Sequence, residues 1–241
     1  MDIDLSAAAI VVAILVAAAG AIVQGSAGLG LALIAGPGLV AIDPAFVPGP
    51  LLLAGQIIGC RHLIVEHRAL DVPTLRRALL GLPFGLALGL GVLAVTETRG
   101  RSLVIGGAVV IAATTMLLGV KVTRNKAVEI GTGTMVTAFS VAAGLPGPPA
   151  ALTYSDMPGP QMRANISALM AFVGPIGLCG LILTDNFGLH ELGLTLAIVP
   201  GIVAGLLVSR FVRPRIDNEW FRPTVLLIAL AGGIATLVRS L

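Results

Sequence analysis

Charge is what this chain has least of. Only 11% of its 241 residues are Asp, Glu, Lys or Arg, where a soluble domain carries about 25%. Between Asp4 and Asp43 there is no charge at all. With 56% hydrophobic residues, that poverty excludes the soluble globular class and implies an integral membrane protein. Cysteine is equally scarce. Cys60 and Cys179, each in apolar surroundings, exclude a disulfide framework and read as small packed hydrophobes. No Cys/His spacing matches a metal site. The only histidines, His62, His67 and His190, sit near connections. "MDIDLS" lacks the basic region of a signal peptide, so the first apolar run should stay in the mature protein. The longest polar connections are about a dozen residues, which leaves no room for a sizeable extramembrane domain. The net charge of +3 comes from basic residues placed between apolar runs. The lipid bilayer explains them, and neither a nucleic-acid partner nor a cofactor is implied.

What is present is apolar runs. The charge-free stretches are 5–42, 44–60, 78–96, 102–120, 130–155, 164–184, 192–209 and 223–238. A spanning helix needs ~20 apolar residues, and six of these runs have single-helix length. The runs 5–42 and 130–155 are longer, and both are interrupted: "GSAGLG" begins at Gly25 and "GLPGPP" at Gly144. At an offset of 119, Gly25 meets Gly144, Gly28 meets Gly147, Ala45 meets Ala164, Gly55 meets Gly174 and Cys60 meets Cys179. The predicted fold is therefore all-α, with two repeats. The first, 1–120, holds a broken hairpin over 5–42 and helices near 46–64, 74–96 and 102–120. The second, 121–241, holds a hairpin over 127–156 and helices near 160–184, 190–210 and 221–239.

Lys and Arg accumulate in cytoplasmic connections. Arg61, Arg68, Arg76 and Arg77 mark one, Lys121, Arg124 and Lys126 a second, and Arg210, Arg213, Arg215 and Arg222 a third. With Arg163 inside, 12 of the 15 basic residues are cytoplasmic, and Arg99, Arg101 and Arg239 are outside. This holds only if each broken segment returns to the side it left. Both termini then face outward, and the halves run in opposite directions. Inverted repeats of that kind characterise transporters.

The breaks are the candidate site. Backbone at membrane depth must be hydrogen-bonded unless it lines a cavity or is buried in protein. A helix starting there presents unpaired N–H groups and a positive dipole end, which suits an anion. Gly25, Gly28, Gly144 and Gly147 are the glycines of that site. Their alternative role is close helix packing, which better suits Gly81, Gly85, Gly89, Gly201 and Gly205. Polar residues at membrane depth join the candidates: Gln24, Ser26, Gln56, Tyr154 and Asn165, with Arg163 at the cytoplasmic mouth. For the amides the competing role is an interhelical hydrogen bond, and for Ser26 a bond to its own helix. Tyr154 and Trp220 also suit membrane-interface anchors.

Several elements in order, "GSAGLG", "DPAF", "CRHLIVEHRALDVPTLRR", "LPFG", "GLPGPP" and "PQMRAN", resemble the TauE/SafE sulfite-exporter family across essentially the whole chain. The resemblance implies a membrane transporter for sulfite, organosulfonates or related sulfur compounds. The chain departs from the family pattern in three places. Its first break has fewer glycines, its second has two extra prolines, and "RAN" stands where "RAT" is usual. These departures bear on the substrate rather than the fold. The expected function is export of a small sulfur-containing anion by alternating access across a bacterial inner membrane, with the oligomeric state left open. No acidic residue falls inside a charge-free run, so the membrane potential is the expected driving force. The competing classes are a non-transporting scaffold and an intramembrane enzyme. "GSAG" places Ser26 one position early for a GxSG nucleophile.

Overall fold

A computed structural model describes residues 5–27, 30–96, 98–120, 122–212 and 221–240. Gly28, Lys121, Arg213, Arg215 and Trp220 lie outside the described residues. The described chain is helical, without strands. Its order is α1 (Ala7–Ala27), α2 (Leu31–Ile42), α3 (Gly49–Glu66), α4 (Val72–Leu79), α5 (Leu82–Val95), α6 (Thr98–Leu117), α7 (Lys126–Ala143), α8 (Gly147–Thr153), α9 (Gly159–Leu183), α10 (Leu189–Val212) and α11 (Phe221–Ser240). Six helices are long and apolar enough to cross a membrane, or seven if α4 and α5, bent by 45°, count as one span. That bend falls at Gly81, just before Pro83, where a continuous helix near 74–96 was expected.

Local chemistry sets the ends. Asn125 caps α7 by accepting from the Val128 N–H at 2.9 Å, and Asp71 caps α4 through the Thr74 N–H and hydroxyl. Such caps contribute about 1 kcal/mol each. Gly144 stops α7 in the left-handed region, φ 64°. Its N–H bonds to the Ser140 carbonyl and that of Leu145 to the Phe139 carbonyl, the paired closure that favours glycine.

Both broken segments fold back on themselves. Gly20 lies against Leu31 and Ala35, and Gly38 against Val16, so α1 and α2 are antiparallel. In the second segment Arg124, before α7, pairs with Asp156, after α8, at 2.9 Å. The two ends of that excursion therefore meet.

Long helices pack through glycine. A Cβ on Gly201 or Gly205 would strike the Ile14 or Ala18 carbonyl oxygen, so α10 runs parallel to α1. Gly81 and Gly85 meet the backbone of Ile130 and Thr134 in the same way, so α5 runs parallel to α7. By contrast α3 is antiparallel to α9, with Gly59 near Met170 and Gly177 near Leu52, and α6 is antiparallel to α11. Such backbone approach holds membrane helices together by dispersion. Apolar side chains including Leu15, Phe84, Val95, Ile111 and Leu183 cover the outer faces. Cys60 and Cys179 also lie on exposed faces and are free. The expectation that they fill the core fails because the stripes facing α3's and α9's neighbours are occupied by glycine instead.

Candidate functional site

The two breaks and the first half of α3 enclose one cavity. Its walls are Gln24 at the end of α1, Gly30 to Leu33 at the start of α2, Leu51, Leu52, Gly55 and Gln56 of α3, Gly144 to Pro148 of the second break, and Met170 of α9. Its volume is about 20 Å³, room for one water. A four-atom oxyanion requires the hairpins to part.

Each wall follows from local sequence. Gln24 is buried, and its Oε1 accepts the Leu31 N–H at 2.9 Å across the break. One amide in the last turn of α1 thus caps α2. Gly30, φ 129°, provides a turn that other residues adopt only under strain. The Ala32 and Leu33 amides belong to the first turn of α2 and have no intrahelical partner. Gln56 lies flat on the bare backbone of Gly174, where any Cβ would collide with its amide group. Among the described residues its side chain makes no hydrogen bond, so both its N–H donors are free for a ligand.

The second break is poorer in donors. Pro146, Pro148 and Pro149 surround the start of α8, and proline has no N–H. Only Gly147 and Ala150 can donate there. The expectation of two equivalent helix ends thus meets a real asymmetry: α2 has 12 residues and α8 only 7.

Of the sequence-derived candidates, Gln24, Gln56, Gly144 and Gly147 come together at the cavity. Gly25 and Ser26 face the other way. A Cβ on Gly25 would meet Ser209, and the Ser26 hydroxyl donates to the Ser209 carbonyl at 3.4 Å. Tyr154, Arg163 and Asn165 lie toward the basic end of the bundle. Tyr154 is buried with Leu75, Ala78 and Met157. Asn165 donates to the Gln161 carbonyl at 2.9 Å. Arg163 grips Glu66 through Nε, 2.9 Å from both carboxylate oxygens, and Nη2 at 2.7 Å. Gly28 lies outside the described residues.

Sequence reasoning missed several members. Gly55 was matched to Gly174 by the repeat but not assigned to the site. Glu66 and Glu129 were placed in or beside connections, yet both are held in ion pairs within helices, Glu66 partly buried and Glu129 buried, the latter with Arg77 at 2.6 Å. His62, read as lying near a connection, is 4% exposed inside α3.

A mostly apolar cavity carrying two amide side chains and helix-start backbone thus lies where the two helix breaks meet. The family model of the sulfite exporter TauE/SafE matches residues 12–236. The chain belongs to that family. No curated protein and no solved structure gives a match. This TauE/SafE chain is accordingly a multi-span membrane protein of a sulfite-exporter family.

Proposed function

We propose that this chain exports a small sulfur oxyanion, sulfite or a short organosulfonate, by alternating access. The observation that carries the reading is the convergence of both breaks on the free Gln56 amide. The cavity offers N–H donors from α2, Gln56 and Gly147, and among the described residues no acidic side chain lines it. That lining favours an anion without a buried lysine.

The halves 1–120 and 121–241 act as inverted repeats. The exchange of partners supports this: the first helix of each half runs parallel to the third long helix of the other, α1 with α10 and α7 with α5. Helices at matching places, α3 with α9 and α6 with α11, are antiparallel, as a two-fold axis in the membrane plane requires. Both termini face the periplasm of a bacterial inner membrane. The potential then favours outward movement of each negative charge by about 2.3 kcal/mol per 100 mV, roughly a fifty-fold gradient. Ser26 donates to a backbone carbonyl, which weighs against its being an activated nucleophile.

The test is thermal unfolding of the purified protein with sulfite, thiosulfate, sulfoacetate, isethionate, taurine and sulfate. A rise with one or more sulfur anions, together with flux of that anion in proteoliposomes under an imposed potential, supports export. If none of them stabilises the folded protein, the scaffold reading takes its place.

A further inference from the structure

One buried ionisable group has no place in the cavity described above. His62 lies within α3, 4% exposed, and its Nε2 has no hydrogen-bond partner. An unpaired polar atom at that depth is costly, and an ionisable residue inside the membrane is by default functional. Its position gives the reason. Gly55, Gly59, His62 and Glu66 follow at the i, i+4, i+7 and i+11 spacing of one helix face. Gly55 lines the cavity, and among the described residues nothing lies within 4 Å of the point where its Cβ would be. At Gly59 the near atoms belong to Met170 alone, at 3.7 and 3.9 Å. Methionine is the most adaptable of apolar side chains. Over the roughly 10 Å of α3 between Gly55 and His62, that helix face carries no side chain of its own at Gly55 and Gly59, and the flexible thioether of Met170 stands against it. One turn further stands the Glu66–Arg163 pair, at the basic end.

The charges around His62 are few. Arg61 and Glu66 face it from its own helix and Arg163 from α9, while α1 brings only the Gly25 backbone. Arg210 of α10 is exposed and stacks on the Phe211 ring at 4.6 Å. The imidazole thus sits at the tip of the first hairpin, between the cavity and the ion pair at its mouth.

We propose that His62 is the proton site of the transport cycle and that the substrate is a dianion. This rests on the export reading. A proton forms the Nε2–H bond when the dianion passes from the basic end, and the imidazolium offsets one of its charges on its way along that low-dielectric helix face. On release outward the N–H bond breaks, the proton leaves with the anion, and the imidazole is neutral again. One proton and one dianion cross, so one net negative charge moves and the potential still drives it. A monoanion with a proton would cross as a neutral pair and lose that drive. The class that keeps both is sulfite in its doubly charged form, or a sulfonate bearing a carboxylate.

The experiment is a reversal-potential measurement on proteoliposomes of the whole protein with sulfoacetate. In the wild type a tenfold proton gradient should move the reversal potential by about 59 mV. In His62→Gln the residual flux should follow the potential alone, with no shift, while sulfoacetate still raises the unfolding temperature. A wild-type reversal potential that ignores the proton gradient while sulfoacetate flux persists overturns the proton site and leaves anion transport standing. So does a shift that survives in His62→Gln. Absence of flux and of anion stabilisation in the folded wild type overturns the export reading itself. The wild-type measurement decides even if His62→Gln does not fold.

Discussion

Two helical glycines, Gly55 of α3 and Gly85 of α5, should respond to alanine with opposite signs. Glycine in a helix interior is about 0.8–1.0 kcal/mol less favourable than alanine. At Gly55 the new methyl meets no heavy atom within 4 Å, so Gly55→Ala should gain up to about 1 kcal/mol of stability. That methyl enters a cavity of about 20 Å³. Its bulk is comparable with the ~30 Å³ share of one water, so it takes most of the space from which the anion site must open. Binding of the stabilising anion should weaken at least tenfold, about 1.4 kcal/mol. At Gly85 the same methyl lands on the Thr134 carbonyl oxygen of α7 and beside Thr137. Neither backbone can yield without separating α5 from α7, and overpacking of this kind costs about 1–3 kcal/mol. Gly85→Ala should therefore lower the unfolding temperature, and what folds should transport. Unfolding in detergent with and without sulfite, followed by flux in proteoliposomes, separates the two effects. Normal anion binding and flux in Gly55→Ala would refute the assignment of the cavity as the substrate site.

Gln56→Leu should weaken anion stabilisation more than Gln56→Asn, which keeps an amide; equal losses with lower stability would make Gln56 a packing residue. Arg77 is 37% exposed at its side chain and Glu129 only 5%. Arg77→Leu leaves a buried carboxylate held only by Thr74 and should cost about 3–5 kcal/mol, whereas Glu129→Leu leaves an arginine that can turn to water and should cost less; denaturant unfolding orders the two. A reporter active only in the cytoplasm, fused after Leu241, should be silent, and strong signal there would overturn the proposed orientation.

The breaks were legible because glycine and proline runs at membrane depth need a reason, and a cavity is one. The packing glycines were legible too. Gly81, Gly85, Gly89, Gly201 and Gly205 recur every four residues, and each meets the backbone or a side chain of a neighbouring helix. What failed was the use of charge to judge burial. The helix expected near 46–64 was found, but His62 was read as lying near a connection and Glu66 as lying in or beside one. A long arginine stem lets a helix continue past its charge, and α3 does so to Glu66. Glu129 fell inside the hairpin expected over 127–156 but was read as lying in or beside a connection, whereas α7, which starts from its Asn125 cap, buries it. Helical phase explains the rest. Gln24, Gly25 and Ser26 read as one motif, but successive residues turn about 100°. Gln24 therefore reaches the cavity while Gly25 and Ser26 meet Ser209.

The unequal breaks lead to a last prediction. The prolines of the second break leave few donors, so an anion should be held chiefly by the first turn of α2. Gln24 controls that turn, since its Oε1 occupies the Leu31 N–H at 2.9 Å. Gln24→Glu keeps the shape and the acceptor but adds a negative charge where the positive end of α2 points. A carboxylate at a helix N-terminus is favoured by about 0.3–1 kcal/mol, more in partly buried geometry, which offsets part of its burial cost. The variant should fold and carry its own anion at the site. Added sulfite or sulfoacetate should then no longer raise its unfolding temperature, because a second negative charge would sit about 4 Å away. At an effective dielectric near 20 that repulsion is about 4 kcal/mol, close to a thousandfold in affinity. Gln24→Met removes the cap without the charge and should lower stability while leaving some anion response. If Gln24→Glu is stabilised by sulfite as fully as the wild type, the anion does not bind at the start of α2, and the donors that matter must be sought on α3.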